Sequence, residues 1–300
     1  MRLPELEGVV LTSLRLPVML ALLALYFIWG ATYIAMYFAI ESFPPFMMAA
    51  MRFSIAGILL YVFLRWRGAK APTAIEWLGA TAVGVLLLTI GNVAVAVAQK
   101  TVSTSVAAMA IATVPLWIAL FSSFWGVSHS RREWLGILLG MLGAAVLAAG
   151  STLQASPEGA LLIVLAAVSW AFGSVWSKHL PMPQGVMASA AQMLTGGAVL
   201  IVLSLLLGES WPASVSEKSW WAMIFLVLFG SIVAYSAYQY LLKTVRPALA
   251  TSNTFVNPVV AMFLGVWLAN EVIDARELTA LAIIIIGVLL VMPFRAKTEI

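Results

Sequence analysis

Ten runs of roughly twenty apolar residues, divided by short polar or Pro/Gly breaks, fill almost the whole of a 300-residue chain. At ~1.5 Å rise per residue, a helix of that length matches the ~30 Å hydrocarbon core of a bilayer. The runs are Val18 to Ile40, Pro45 to Leu64, Ala74 to Ala98, Ser103 to Phe124, Trp134 to Gly150, Ala160 to Ser177, Val186 to Leu206, Trp220 to Leu242, Ala248 to Leu268 and Leu278 to Phe294. They are too long for barrel strands, and in lipid each span has to satisfy its own backbone hydrogen bonds, so helices are predicted. Composition agrees: 63% of residues are hydrophobic and 9% charged, against about 25% charged in soluble domains. With a mean hydropathy of +1.04, the sequence predicts an all-α integral membrane protein. The short connections leave no room for an appended soluble domain. The first run is too long for the apolar core of a cleavable signal and is expected to be retained as a helix.

The basic residues predict an orientation. With both termini in the cytoplasm, twelve Lys and Arg residues fall inside and three outside (Lys100, Lys218 and Arg276), while Arg52 lies within the second span. Such an excess over short loops is the positive-inside signature. It accounts for the net charge of +4 without a nucleic-acid partner. Zero cysteines exclude disulfides, thiolate metal sites and cysteine nucleophiles together.

Shifting the sequence by 143 positions lays its second half on its first. Gly30 meets Gly173, Trp77 meets Trp220, Lys100-Thr101-Val102 meets Lys243-Thr244-Val245, and Pro115 meets Pro258. The expected units are residues 1–150 and 151–300, with five spans each. Five is odd, so the second copy enters the membrane upside down, the inverted-repeat plan of many transporters.

Trp29-Gly30-x-x-Tyr33 in the first span, Phe172-Gly173-x-x-Trp176 in the sixth, the matched prolines and Glu271 after the ninth span together resemble the EamA family of the drug/metabolite transporter superfamily. The similarity covers nearly the whole chain and is greatest to bacterial inner-membrane exporters of aromatic amino acids. It implies a multi-pass protein of the bacterial inner membrane that moves a small molecule. One departure stands out. The family often carries an acid after both the fourth and ninth spans, but Ser128 and then His129 stand where the partner of Glu271 belongs.

Candidate site residues follow from side chains that are costly to face lipid. Trp29, Tyr33 and Tyr37 share one helical face, and Trp170 and Trp176 flank Gly173 in the sixth span. Trp29, Tyr33, Trp170 and Trp176 are candidates for stacking on an aromatic or apolar solute, with interhelical packing as the other reading. Asn92, Tyr235, Tyr238, Asn253 and Asn257 are polar groups inside spans, to be met by a partner helix or by a wet cavity. Ser231, Gln192, Gln239, Thr251, Ser252 and Thr254 belong to the same class. Arg52 either snorkels outward, pairs with Glu41 or a backbone carbonyl, or receives a substrate carboxylate. Pro115 and Pro258 are candidate hinges. Gly136, Gly140 and Gly143 read as close-packing residues.

No phosphate-binding loop, zinc-protease motif or nucleophile elbow is present, so the chain is not expected to be an enzyme or to carry a metal or cofactor. No Asp or Glu occupies a span centre, which favours facilitated transport over proton coupling. The expected function is alternating-access export of aromatic amino acids and related small metabolites or drugs. The alternatives are a proton-coupled multidrug or metabolite exporter and a non-transport protein on the same scaffold. The sequence leaves the oligomeric state open.

Overall fold

A computed structural model of the protein describes residues 16–127, 130–148, 156–245 and 253–291. These are helical, with no strand among the described residues. In chain order the helices are α1 Leu16–Ile40, α2 Pro45–Trp66, α3 Ala74–Ala98, α4 Thr104–Ser123, α5 Arg131–Ala148, α6 Pro157–Trp176, α7 Val186–Leu206, α8 Glu217–Leu242, α9 Asn253–Ala269 and α10 Ala275–Val291. Seven of them, α1 to α4 and α6 to α8, are long and apolar enough to cross a membrane. Helix α5 opens on Arg131, Arg132 and Glu133, and α9 and α10 are each 17 residues long.

The runs that predict α3 and α7 agree with the structure at both ends, while α5, α6, α8 and α10 each begin three residues before their apolar run. The cause is capping. Ser130, Ser156, Ser216 and Asp274 each accept a backbone N–H three residues on, so a polar first turn is helical although it contributes nothing to hydrophobicity. At α3, Thr73 and Glu76 form a reciprocal capping box. The parts of the fifth run at 149–150, of the ninth at 248–252 and of the tenth at 292–294 lie outside the described residues.

Packing follows the repeat. Helix α1 packs on α8 and α9, and their counterparts α6 and α3, and α6 and α4, pack likewise. Helices α2 and α7 pack on each other, as do α5 and α10, each being the other's repeat counterpart. Small residues permit the closest approaches. A Cβ added to Gly197 would stand 2.8 Å from the Ser54 nitrogen at the α2–α7 crossing, and one on Gly287 would stand 2.6 Å from the Gly140 nitrogen at the α5–α10 crossing.

Three helices contain a π-helical stretch: Ala24–Trp29 in α1, Val85–Asn92 in α3 and Leu226–Val233 in α8. The last two nearly coincide under the repeat shift. A π turn loosens the regular ladder, and such turns collect at functional sites. The matched prolines behave differently from each other. Helix α4 is interrupted between Ile111 and Val114, with Pro115 in the first turn of its second piece, whereas Pro258 sits inside an unbroken α9. Proline is tolerated in a first turn because its missing N–H has no intrahelical partner there.

Candidate substrate cavity

A cavity of about 920 Å³, counting its opening, lies between the halves, with walls from α1, α2, α3, α4, α6, α8 and α9. The structure brings Trp29, Tyr33, Asn92, Trp170, Tyr235, Tyr238, Asn253 and Asn257 to this one space, with Arg52 and Pro258. Trp176 and Pro115 are not among the lining residues. Trp176 is six positions after Trp170, about 240° around the helix, and packs instead on Phe172 with ring centroids 5.6 Å apart. Tyr37 is likewise off the wall, where Met36 stands in its place.

One part of the wall is aromatic. Trp29 meets Trp170 edge-on at 5.7 Å and Tyr238 at 5.0 Å, and Trp170 lies 6.5 Å from Tyr235. The two tyrosine hydroxyls are engaged: Tyr235 donates to the side-chain Oε1 of Gln192, and Tyr238 pairs with Ser174 Oγ at 3.2 Å. Both residues line the cavity, and aromatic ring surfaces favour flat apolar groups.

Arg52 forms the other part. It is 3% exposed, donates Nε–H to Ser231 Oγ at 2.9 Å and a terminal N–H to Asn92 Oδ1 at 3.3 Å, and lies 4.8 Å from the Phe53 ring centroid. Of the alternatives for Arg52, pairing with Glu41 is not formed. Glu41 pairs with Lys218 at 2.6 Å near the start of α8, where an exposed amine reaches it at less cost than a buried guanidinium.

The π turns are bonded by neighbouring helices. Gly230 O in α8 accepts from Trp29 Nε1 at 3.1 Å, and Leu86 O in α3 accepts from Ser169 Oγ at 2.7 Å. With the Asn257 amide oriented to match its neighbours, its Nδ2 faces Leu25 O and Tyr26 O of α1 and Asn253 O at 3.0, 3.2 and 3.1 Å, and its Oδ1 accepts from Asn253 Nδ2 at 3.0 Å. Both asparagines line the cavity, and in that orientation the Asn257 amide fastens α9 to α1 while Asn253 supports it. Thr251, Ser252, Ser128 and His129 lie outside the described residues.

Carboxylates fasten the halves at the end where α2, α4, α6 and α8 begin. Glu209, after α7, accepts from the Phe46 and Met47 amides at 3.2 and 2.7 Å. Glu271, after α9, accepts from the Thr104 and Ser105 amides at 2.6 and 3.0 Å and from the Ser105 hydroxyl. Each places negative charge on a helix N-terminus of the other half. Ser42, Ser216 and Ser219 form a hydroxyl cluster beside the Glu41–Lys218 pair. Sequence reasoning missed Glu209, whose only sequence signal is an acid just beyond a helix.

Known proteins are similar to this chain in sequence and in fold. The uncharacterized inner membrane transporter YedA of Escherichia coli (strain K12) is 46% identical over 277 residues, covering 92% of this chain and 90% of that one. The uncharacterized transporter YoaV of Bacillus subtilis (strain 168) is 23% identical, covering 84% and 88%. A solved crystal structure superposes with a TM-score of 0.67 at 21% identity, over 92% of this chain and 96% of that one, a likeness of fold. Residues 16–149 and 157–292 each match the EamA-like transporter family, and the chain belongs to that family of membrane transporters.

Proposed function

We propose that the protein is a ten-span, alternating-access transporter of the bacterial inner membrane, with both termini cytoplasmic, and that it exports small aromatic metabolites, aromatic amino acids among them. The observation that carries this reading is the aromatic-walled cavity between two halves whose helix contacts exchange under the repeat shift. Two inverted five-helix repeats, 1–150 and 151–300, give such a chain two related states, one open to each side. The fastened end of the bundle is then the outer one, and Pro115 and Pro258 serve as hinges.

Among the described residues no Asp or Glu lines the cavity, which supports facilitated rather than proton-coupled movement. Flux of labelled phenylalanine and tryptophan in proteoliposomes tests the function. Saturable flux without an imposed pH gradient is the expected result. Flux that appears only with the gradient favours a proton-coupled exporter, and absence of flux for every aromatic solute overturns the substrate reading.

A further inference from the structure

A guanidinium buried in a membrane bundle has given up its water and needs a counter-charge. Arg52 has hydrogen bonds to Ser231 and Asn92, both neutral, so its positive charge is solvated but not cancelled. Among the described residues no carboxylate reaches it. Glu41 is held by Lys218, and Glu209 and Glu271 are held by helix N-termini. Its second terminal nitrogen, beside Gly230 in the cavity wall, has no hydrogen-bond partner among the described residues. An open guanidinium edge matches a carboxylate in geometry as well as charge.

We propose that the counter-charge arrives with the solute: the cavity selects a small monoanionic carboxylate, held at Arg52, whose apolar body lies toward Trp29, Trp170 and Tyr238. An ammonium group on the same molecule finds no acid in the cavity. The Asn257 amide is bonded to α1 and to Asn253, so only neutral acceptors and ring faces remain to attract the ammonium. A zwitterion therefore loses more on entry than the same molecule without its amine. The inference rests on the transporter reading above and narrows its substrate by charge.

The test uses solutes of similar body and different charge: 3-phenylpropionate, phenylalanine and 2-phenylethylamine, with 3-cyclohexylpropionate as a non-aromatic carboxylate. Binding is read as thermal stabilisation of the purified full chain, and transport as flux in proteoliposomes. The expected order is carboxylate, zwitterion, amine, with about tenfold or more in affinity between first and last. Arg52→Gln is expected to abolish that preference, and Arg52→Lys to retain part of it. Phenylalanine or the amine binding as tightly as the carboxylate overturns the inference, as does an unchanged preference in Arg52→Gln. The wild-type series decides the matter even if that variant fails to fold. If both carboxylates are taken alike and phenylalanine is not, the charge inference stands and the aromatic reading falls.

Discussion

The indole N–H of Trp29 is bonded to the carbonyl oxygen of Gly230 at 3.1 Å, joining the π turn of α1 to the π turn of α8 across the wall of the cavity. The two residues lie in opposite halves of the chain. A change in their separation therefore reports relative movement of the halves. Trp29→Phe keeps most of the ring and removes the donor. The expected result is a loss of stability of about 1 kcal/mol, read from thermal unfolding in detergent, with a larger proportional loss of flux. Wild-type flux in this variant counts against a working role for the bond.

The carboxylate of Glu271 sits on the first amides of α4, and its role is expected to be structural. Glu271→Ala should cost about 1–2 kcal/mol and Glu271→Gln less, because an amide oxygen still accepts the hydrogen bonds but brings no charge to the helix end. Neither variant should change the response of flux to an imposed pH gradient. A changed response would identify Glu271 as a coupling group instead.

Zero cysteines make trapping experiments free of background. Ser42 and Ser216 place their hydroxyls 3.4 Å apart at the fastened end. A Ser42→Cys/Ser216→Cys double variant is expected to oxidise readily, to lose flux and to regain it on reduction. Full flux in the cross-linked protein would show that this end does not open.

Gly197 approaches the backbone of Ser54 too closely to admit a larger side chain. Gly197→Val is expected to lower folded yield and to cost more than about 2 kcal/mol, with Ser54→Ala close to neutral. Size-exclusion profiles and melting curves check both.

Much of the fold was legible in the sequence because lipid imposes length and hydrophobicity directly on each span. Helix starts were less so. The residues that move them are single caps such as Ser130 and Asp274, and these carry little hydropathy signal. In the site, Trp29, Tyr33 and Asn92 could be singled out as side chains ill-suited to lipid. Trp176 shared that character, and only its angle around α6 separates it from Trp170. The π turns left no mark that composition or periodicity could register, since a π turn changes the hydrogen-bond register and not the residue types. Glu209 and Glu271 act through contacts with backbone amides of the other half, a pairing that depends on how the halves dock.

The repeat register sets Arg52 opposite Thr195, Asn92 opposite Tyr235, and Asn253 and Asn257 opposite Ala110 and Val114. The helices exchange under this relation, but the chemistry they carry does not. An engineered chain made by joining two copies of either half would repeat one set of these residues and lack the other: two first halves would set a second arginine where Thr195 stands, and two second halves would set a threonine where Arg52 stands. Duplication accounts for the scaffold, and the unlike side chains of the cavity wall depend on the copies having drifted apart.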